Sequence, residues 1–303
     1  MDYQLLKDLI EVQSPSGSEY VIKEFILNYI EKNKSKWNKQ PDIIKDGIQD
    51  CIILVFGEPK TAVYAHMDSI GFMVGYDNAL SKIGGPDCTG DWLLVGEDSK
   101  GEVEGALMSK DDDLKFHTSR KVDRGTTLTF KPDFVETENF IQSPYIDNRL
   151  GVWIALKLCE TLENGAIVFS TFEEHKGGSV QFLAGKLFYN YNIQQSLISD
   201  ITWVTDGIHH GKGAAISLKD GSVPRRAFTN RIIDLAKESS IPYQIEVESA
   251  GGSDGTAIQH SPYPIDWCFI GAPESNVHSP LEKVHKDDIK SMLEMYKYLM
   301  NKL

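Results

Sequence analysis

Paired cysteines are missing from this chain. The four it has (Cys51, Cys88, Cys159 and Cys268) lie far apart with no C-x-x-C spacing, which leaves neither a disulfide framework nor a cysteine metal knuckle to read. Cys159 and Cys268 fall inside apolar segments and read as buried free thiols. Long apolar runs are also absent: none approaches the ~20 residues of a membrane-crossing helix. The N-terminal stretch MDYQLLKDLIEVQSPSGSEY has no charged region followed by an apolar one, so no signal peptide is expected and the expected location is the cytoplasm. Positive charge is scarce. Lys and Arg number 31 against 44 Asp and Glu, a formal net charge of −13, which excludes nucleic acid and anionic membrane as partners. No internal repeat and no low-complexity tract is found.

What remains is ordinary globular material. A chain of 303 residues with 41% hydrophobic and 25% charged residues can bury a core large enough for one big domain or two unequal ones. Residues 3–12 and 18–32 read as amphipathic helices separated by the breaker PSGS. IILVF (52–56), TAVYA (61–65) and GFMVGY (71–76) read as strands. From residue 77 to 142 the composition shifts to Gly, Asp, Lys and Thr with short alternating segments, which predicts a small inserted β domain, barrel-like. Beyond SPY, strands and helices alternate again. The spacing predicts a helix over 147–162, a strand over 166–172, a helix near 177–188, strands at 200–205 and 213–218, and a helix over about 225–240. Further strands IPYQIEV and PIDWCFIG precede a last helix from about Lys286. Residues 1–76 and 143–303 therefore predict an α/β domain with a mixed, mainly parallel sheet and helices on both faces.

Six residues along this framework have the chemistry of a two-metal hydrolase, most of them directly after an apolar run where a strand would end. They are His66 in YAHMDSIGF, Asp147 in YIDNRLG, Glu173 and Glu174 in FEEH, Asp206 in TWVTDGI and His278 in NVHSPLEKV. Two imidazoles, a carboxylate able to bridge, terminal carboxylates and one spare carboxylate make up such a site. His66 and Asp68 are two apart at a strand end, so Asp68 can hold the second ring nitrogen of His66. Asp147 opens a helix and reads either as its N-cap or as a bridging ligand, with Asn148 able to cap instead. Of the adjacent Glu pair, one can bind metal while the other takes a proton from water. Each residue alone has a commoner structural reading: a surface His, a capping Asp, a solvated doublet. Their joint occurrence in one order is what favours the metal site.

The segments LLKDLIEVQSPSGSE, YAHMDSIGFMV, YIDNRLG, FEEH, VTDG, GGSDGTAI and VHSPLEKV resemble, in order and along nearly the whole chain, the tetrahedral aminopeptidase family. Its members are dinuclear zinc exopeptidases, often labelled glutamyl aminopeptidases. The resemblance implies that His66, Asp147 and Asp206 hold one metal, and that Asp147, Glu174 and His278 hold the other. It makes Asp147 the bridge, Glu173 the general base, Asp68 the support of His66, and Gly251, Gly252, Ser253 and Asp254 a substrate loop. The cofactors implied are two divalent ions, zinc first, with cobalt or manganese as alternatives. The partners implied are short peptide substrates and further copies of the same chain. The β-rich interval between His66 and Asp147 separates this family from carboxypeptidase and deacylase relatives, whose extra domain falls between the fourth and fifth ligands. The insert is shorter than the family's usual β-barrel, which helps build a hollow dodecamer. After the Glu pair, His175-Lys176-Gly177 replaces the family's small apolar residues. The expected function is thus removal of N-terminal residues from short peptides. A metal-dependent amidohydrolase of N-acyl amino acids and a non-catalytic binding or scaffold homologue are the alternatives.

Overall fold

A computed structural model describes residues 1–110 and 113–303. Its larger sheet has eleven strands. Four central ones run parallel in the order Gly165–Ser170, Thr61–His66, Gln195–Trp203, Asp266–Ser275. Antiparallel strands flank them, including Ile52–Phe56 on one side and Lys283–His285 on the other. The sheet is mixed and mainly parallel at its centre.

Side chains alternate across this sheet with period two. Ile52, Leu54, Phe56, Val63, Ala65, Ile167 and Phe169 belong to one core, under helices Gln4–Ile10, Tyr20–Asn33, Ile146–Cys159, Arg226–Ser239 and Lys286–Met300. Ile53, Val55, Ala62, Tyr64, Ala166 and Val168 belong to a second core, under helices Val180–Tyr191 and Asp254–Gln259. Strands buried on both faces explain why their sequences read as unbroken apolar runs. All four cysteines are free, and Cys51, Cys159 and Cys268 are buried. Among the described residues, no helix is long and apolar enough to cross a membrane.

The second sheet has six antiparallel strands over a core of its own. Its boundaries differ from the expected 77–142. The strand Gly71–Val74, read from sequence as part of the main sheet, pairs with Leu80–Ile83 and Thr127–Phe130 in the small one. Conversely, Val135–Glu136 and Phe140–Gln142 edge the large sheet. The small sheet therefore runs from residue 71 to 130. A bridge between Ala79 and Lys115 links its two ends, giving the barrel-like closure. The cause of the misreading is local: an apolar strand carries no mark of which sheet it joins, and here the nearest partner along the chain won.

Two packing features place the helix that carries Asp147. A Cβ on Gly151 would lie 2.2 Å from the Ser199 carbonyl oxygen, so only glycine lets this helix approach the Gln195–Trp203 strand so closely. Arg149 is fully buried and donates to the carbonyl oxygens of Leu9 (3.1 Å), Val12 (3.2 Å) and Met67. It binds the helix start to the N-terminal helix and to the segment just after His66.

Candidate metal centre

The carboxyl ends of the four parallel strands converge on one place, as expected for an open α/β sheet. His66 ends its strand, and its Nε2 lies 3.2 Å from Asp147 Oδ1 and 3.5 Å from Asp200 Oδ2. Across Asp147, His278 Nε2 lies 3.4 Å from Asp147 Oδ2 and 3.2 Å from Glu174 Oε2. Asp147 thus presents one oxygen to each imidazole. The ligand atoms of His66, Asp147 and Asp200 all fall within 4.8 Å of one another, and so do those of Asp147, Glu174 and His278. Glu173 belongs to neither set, with Oε2 3.9 Å from His66 Nε2.

Main-chain bonds to three buried carboxylates hold these groups in place. Asp68 Oδ1 lies 3.5 Å from His66 Nδ1. The same carboxylate accepts from the backbone of Glu173 (3.1 Å) and Glu174 (3.2 Å) and from Ser16 Oγ (2.6 Å). Glu19 accepts from Phe172 N at 3.1 Å, at the start of the same turn. Glu282 accepts from Asp147 N (3.1 Å) with one oxygen and from His278 N (2.9 Å) with the other. The carbonyl of His278 in turn accepts from Asp87 N (2.9 Å), so a loop of the inserted segment steadies this residue. Asn148, not Asp147, caps the helix: its Oδ1 accepts from Gly151 N at 2.8 Å and its amide donates to Ser199 O. Asp147 is thereby left free to face the imidazoles.

One expected ligand is displaced. Asp206 is exposed in the turn beyond Trp203 and joins neither group. Its place beside His66 is taken by Asp200, buried within the Gln195–Trp203 strand. The sequence reading began that strand at Asp200 and sought the ligand after its end, but the strand starts five residues earlier and carries the carboxylate inside it. The available signal was a lone Asp in an otherwise buried strand, which is informative because unpaired acids are rarely buried. Ser16, Glu19 and Glu282 were also missed as supports. Of the loop, Gly251 and Gly252 line the cavity that holds the candidate ligands, whereas Ser253 and Asp254 line only a neighbouring one. Asp254 is buried and accepts from Ser170 Oγ.

Burial is the largest influence on every carboxylate here. It pushes Glu173 well above its usual value, with His66 opposing and Asp200 and Glu174 adding to the rise. Asp200 rises to about 6 and Glu174 to about 7, again through burial first. Burial would also raise Asp147, but contacts with His278 and His66 hold it below the usual range. Burial lowers His278, yet Asp147 and Glu174 outweigh it and push the imidazole up to about 12. Four carboxylates therefore crowd two imidazoles with too little positive charge among them. Asp147 Oδ1, Glu174 Oε1 and His66 Nδ1 are buried without a hydrogen-bond partner, a costly arrangement unless something else engages them. Nitrogen and carboxylate donors in two adjoining sets suit a pair of divalent ions such as zinc.

Two cavities meet at Glu173, Gly251 and Gly252. One, of about 230 Å³, contains the residues of the two candidate ligand groups, and the other, of about 630 Å³, has Lys176 in its lining. His175, beside Lys176, accepts from Gly84 N at 3.1 Å.

A family profile described as M42 glutamyl aminopeptidase matches residues 106–295. A putative aminopeptidase of Acetivibrio thermocellus is 28% identical over 97% of this chain and 96% of its own length. Among solved structures, an aminopeptidase from the archaeon Desulfurococcus kamchatkensis superposes with a TM-score of 0.85 at 22% identity, covering 99% of this chain and 94% of that one. The TET1 peptidase of Pyrococcus horikoshii, whose structures assemble into a tetrahedron or a large octahedral shell, gives 0.81 at 22% identity and covers 98% of both chains.

Proposed function

Since the chain belongs to the M42 glutamyl aminopeptidase family and is a peptide hydrolase, we propose that it is a dinuclear metal-dependent aminopeptidase acting on short peptides. The observation that carries this reading is the division of Asp147, one oxygen toward the His66 and Asp200 group and the other toward the His278 and Glu174 group. A shared carboxylate with a separate His and acid on each side is what two adjoining cations require. His66, Asp147 and Asp200 would hold one, and Asp147, Glu174 and His278 the other, with zinc the first expectation and cobalt or manganese alternatives. Bound there, the ions would polarise the scissile carbonyl and lower the pKa of water toward ~7.

Glu173 is the group left over. It borders both cavities, stands outside the two ligand groups, and has its affinity for a proton raised by burial. It would take the proton from the attacking water and return it to the leaving amine. Asp68 fixes the turn that carries Glu173 and faces the far nitrogen of His66, so it sets the geometry of base and ligand together. The free α-amine of the substrate would be read by the site's carboxylates, which limits cleavage to the first residue.

The test is hydrolysis of aminoacyl p-nitroanilides beside their N-acetylated counterparts, with and without chelator. Cleavage of the free-amine set alone, abolished by chelator and restored by zinc, cobalt or manganese, is expected. Cleavage of the acetylated set alone would replace this reading with an amidohydrolase of N-acyl amino acids. The neighbouring TET1 peptidase assembles into closed shells, and on the same fold we propose that this chain is a homo-oligomer. A native mass equal to one chain of 33.9 kDa would overturn that part.

A further inference from the structure

The 230 Å³ cavity continues past the metal-ligand residues into a second wall made of Asp220, Glu246 and Glu248, beside the ring of Trp203. Among the described residues no lysine or arginine lines it; the basic side chains there are His66 and His278, both already facing carboxylates. We propose that this end of the cavity receives the side chain of the residue being removed, and that the side chain it takes is cationic, that of lysine or arginine. The inference rests on the aminopeptidase reading for the position of the scissile bond, and on the cavity's own lining for the choice of side chain.

Three observations support it. First, the wall is acidic and its carboxylates make no ion pair among the described residues. Asp220 and Glu246 are both buried, 8% and 2% exposed. Among the described residues, the ion pairs within 4 Å include none made by Asp220, Glu246 or Glu248. The cation that acts on Asp220 is Lys219, whose Nζ is occupied by the carbonyl oxygens of Asp220 (2.7 Å) and Glu248 (3.0 Å). A buried carboxylate without a counter-charge is costly, and a substrate ammonium or guanidinium would supply one. Second, the hydrogen bonds these acids make are partial. Glu246 Oε1 accepts from the Thr202 hydroxyl, Glu248 Oε1 from Thr205 Oγ1 at 3.0 Å, and Asp220 Oδ1 from Ser222 N at 2.6 Å. For Glu248 and Asp220 the other oxygen keeps its acceptor capacity, while Glu246 also has the Ser217 hydroxyl beside it. Third, the cavity is a reaction cavity independently of these acids, because the unpartnered buried oxygens of Asp147 and Glu174 belong to residues that line its opposite end. The indole of Trp203 suits the apolar stem that both lysine and arginine carry before their charge.

The same lining argues against an acidic side chain, which would meet three carboxylates and no lysine or arginine. The basic residues that could have served one are elsewhere. Arg149 is tied to main-chain carbonyls, Arg225 pairs with Asp266, and Lys176 lines the neighbouring cavity. The glutamyl preference in the family description therefore does not fit the pocket of this chain.

The experiment compares kcat/KM for the lysyl, arginyl, norleucyl and glutamyl p-nitroanilides on the metal-loaded full chain, wild type and Glu248 variants. Free L-lysine and L-norleucine are titrated by calorimetry in parallel. Norleucine keeps the stem and lacks the ammonium. A charge-assisted contact predicts a lysine-over-norleucine ratio of about tenfold or more, with glutamate last. Glu248→Gln should reduce that ratio, and Glu248→Lys should raise glutamyl turnover relative to lysyl. A ratio near one in both turnover and binding overturns the proposal. So does a Glu248→Gln enzyme that loses all four substrates equally, the result expected if these acids read the α-amine. Silence on every anilide with a calorimetric preference for lysine would sink the peptidase reading while leaving the cationic pocket standing.

Discussion

Glu173→Gln is expected to lower kcat by about 10²- to 10⁴-fold, the range a positioned general base contributes, while both metal equivalents stay bound. The amide matches the carboxylate in size, so the turn held by Asp68 should keep its shape. What it cannot do is accept the proton. Because Glu173 stands outside both ligand groups, loss of activity and loss of metal should separate at this residue and at no other acid of the cluster. Turnover of a free-amine anilide and metal content by mass spectrometry, measured on the same preparation, make the comparison. Full activity with two metals bound would remove Glu173 from the role of base.

The second large effect distinguishes two aspartates six positions apart. Asp200→Asn is expected to cut bound metal from two ions toward one per chain, because it removes the acid that faces His66. Its effect on activity should exceed the ~10–100-fold typical of losing an outer partner of a metal ligand. Asp206→Asn should leave metal content unchanged, with stability within about 0.5 kcal/mol of wild type, as for most exposed positions. Metal stoichiometry and a urea midpoint for each variant decide the matter. The reverse pattern would return the ligand role to Asp206.

These two aspartates also mark where the sequence stopped being legible. His66, Asp147 and Glu174 could be picked out because each sits beside a visible break in an apolar run or at the start of a helix, and His278, a loop histidine beside Pro280, only through its place in the joint order. Their gathering into two groups follows from the parallel pairing, which puts His66 level with Ser170 and so beside the Glu pair. Asp200 lacked such a break: a carboxylate inside a strand can be told from one after it only when the strand's own start is known. Layer structure was readable from period and apolar content. Strand order was not, since Thr61–His66 finds its neighbours about a hundred residues later, and no local pattern encodes a partner so distant. The same blindness moved the Gly71–Val74 strand into the wrong sheet. Ser16, Glu19 and Glu282 escaped notice because their task is to make one or two hydrogen bonds to the chain around them, and a breaker such as PSGS looks the same whether or not it has one.

That breaker has a consequence for how this protein can be handled. Ser16 and Glu19 hold Asp68 and Phe172, on either side of the turn that presents the Glu pair. A protease nick or a trimmed expression boundary near residue 20 would spare every proposed ligand and the proposed base, yet would take away two of the bonds that aim them. Inactivation by clipping at this remote point would then look, in an assay, like damage to the metal site itself.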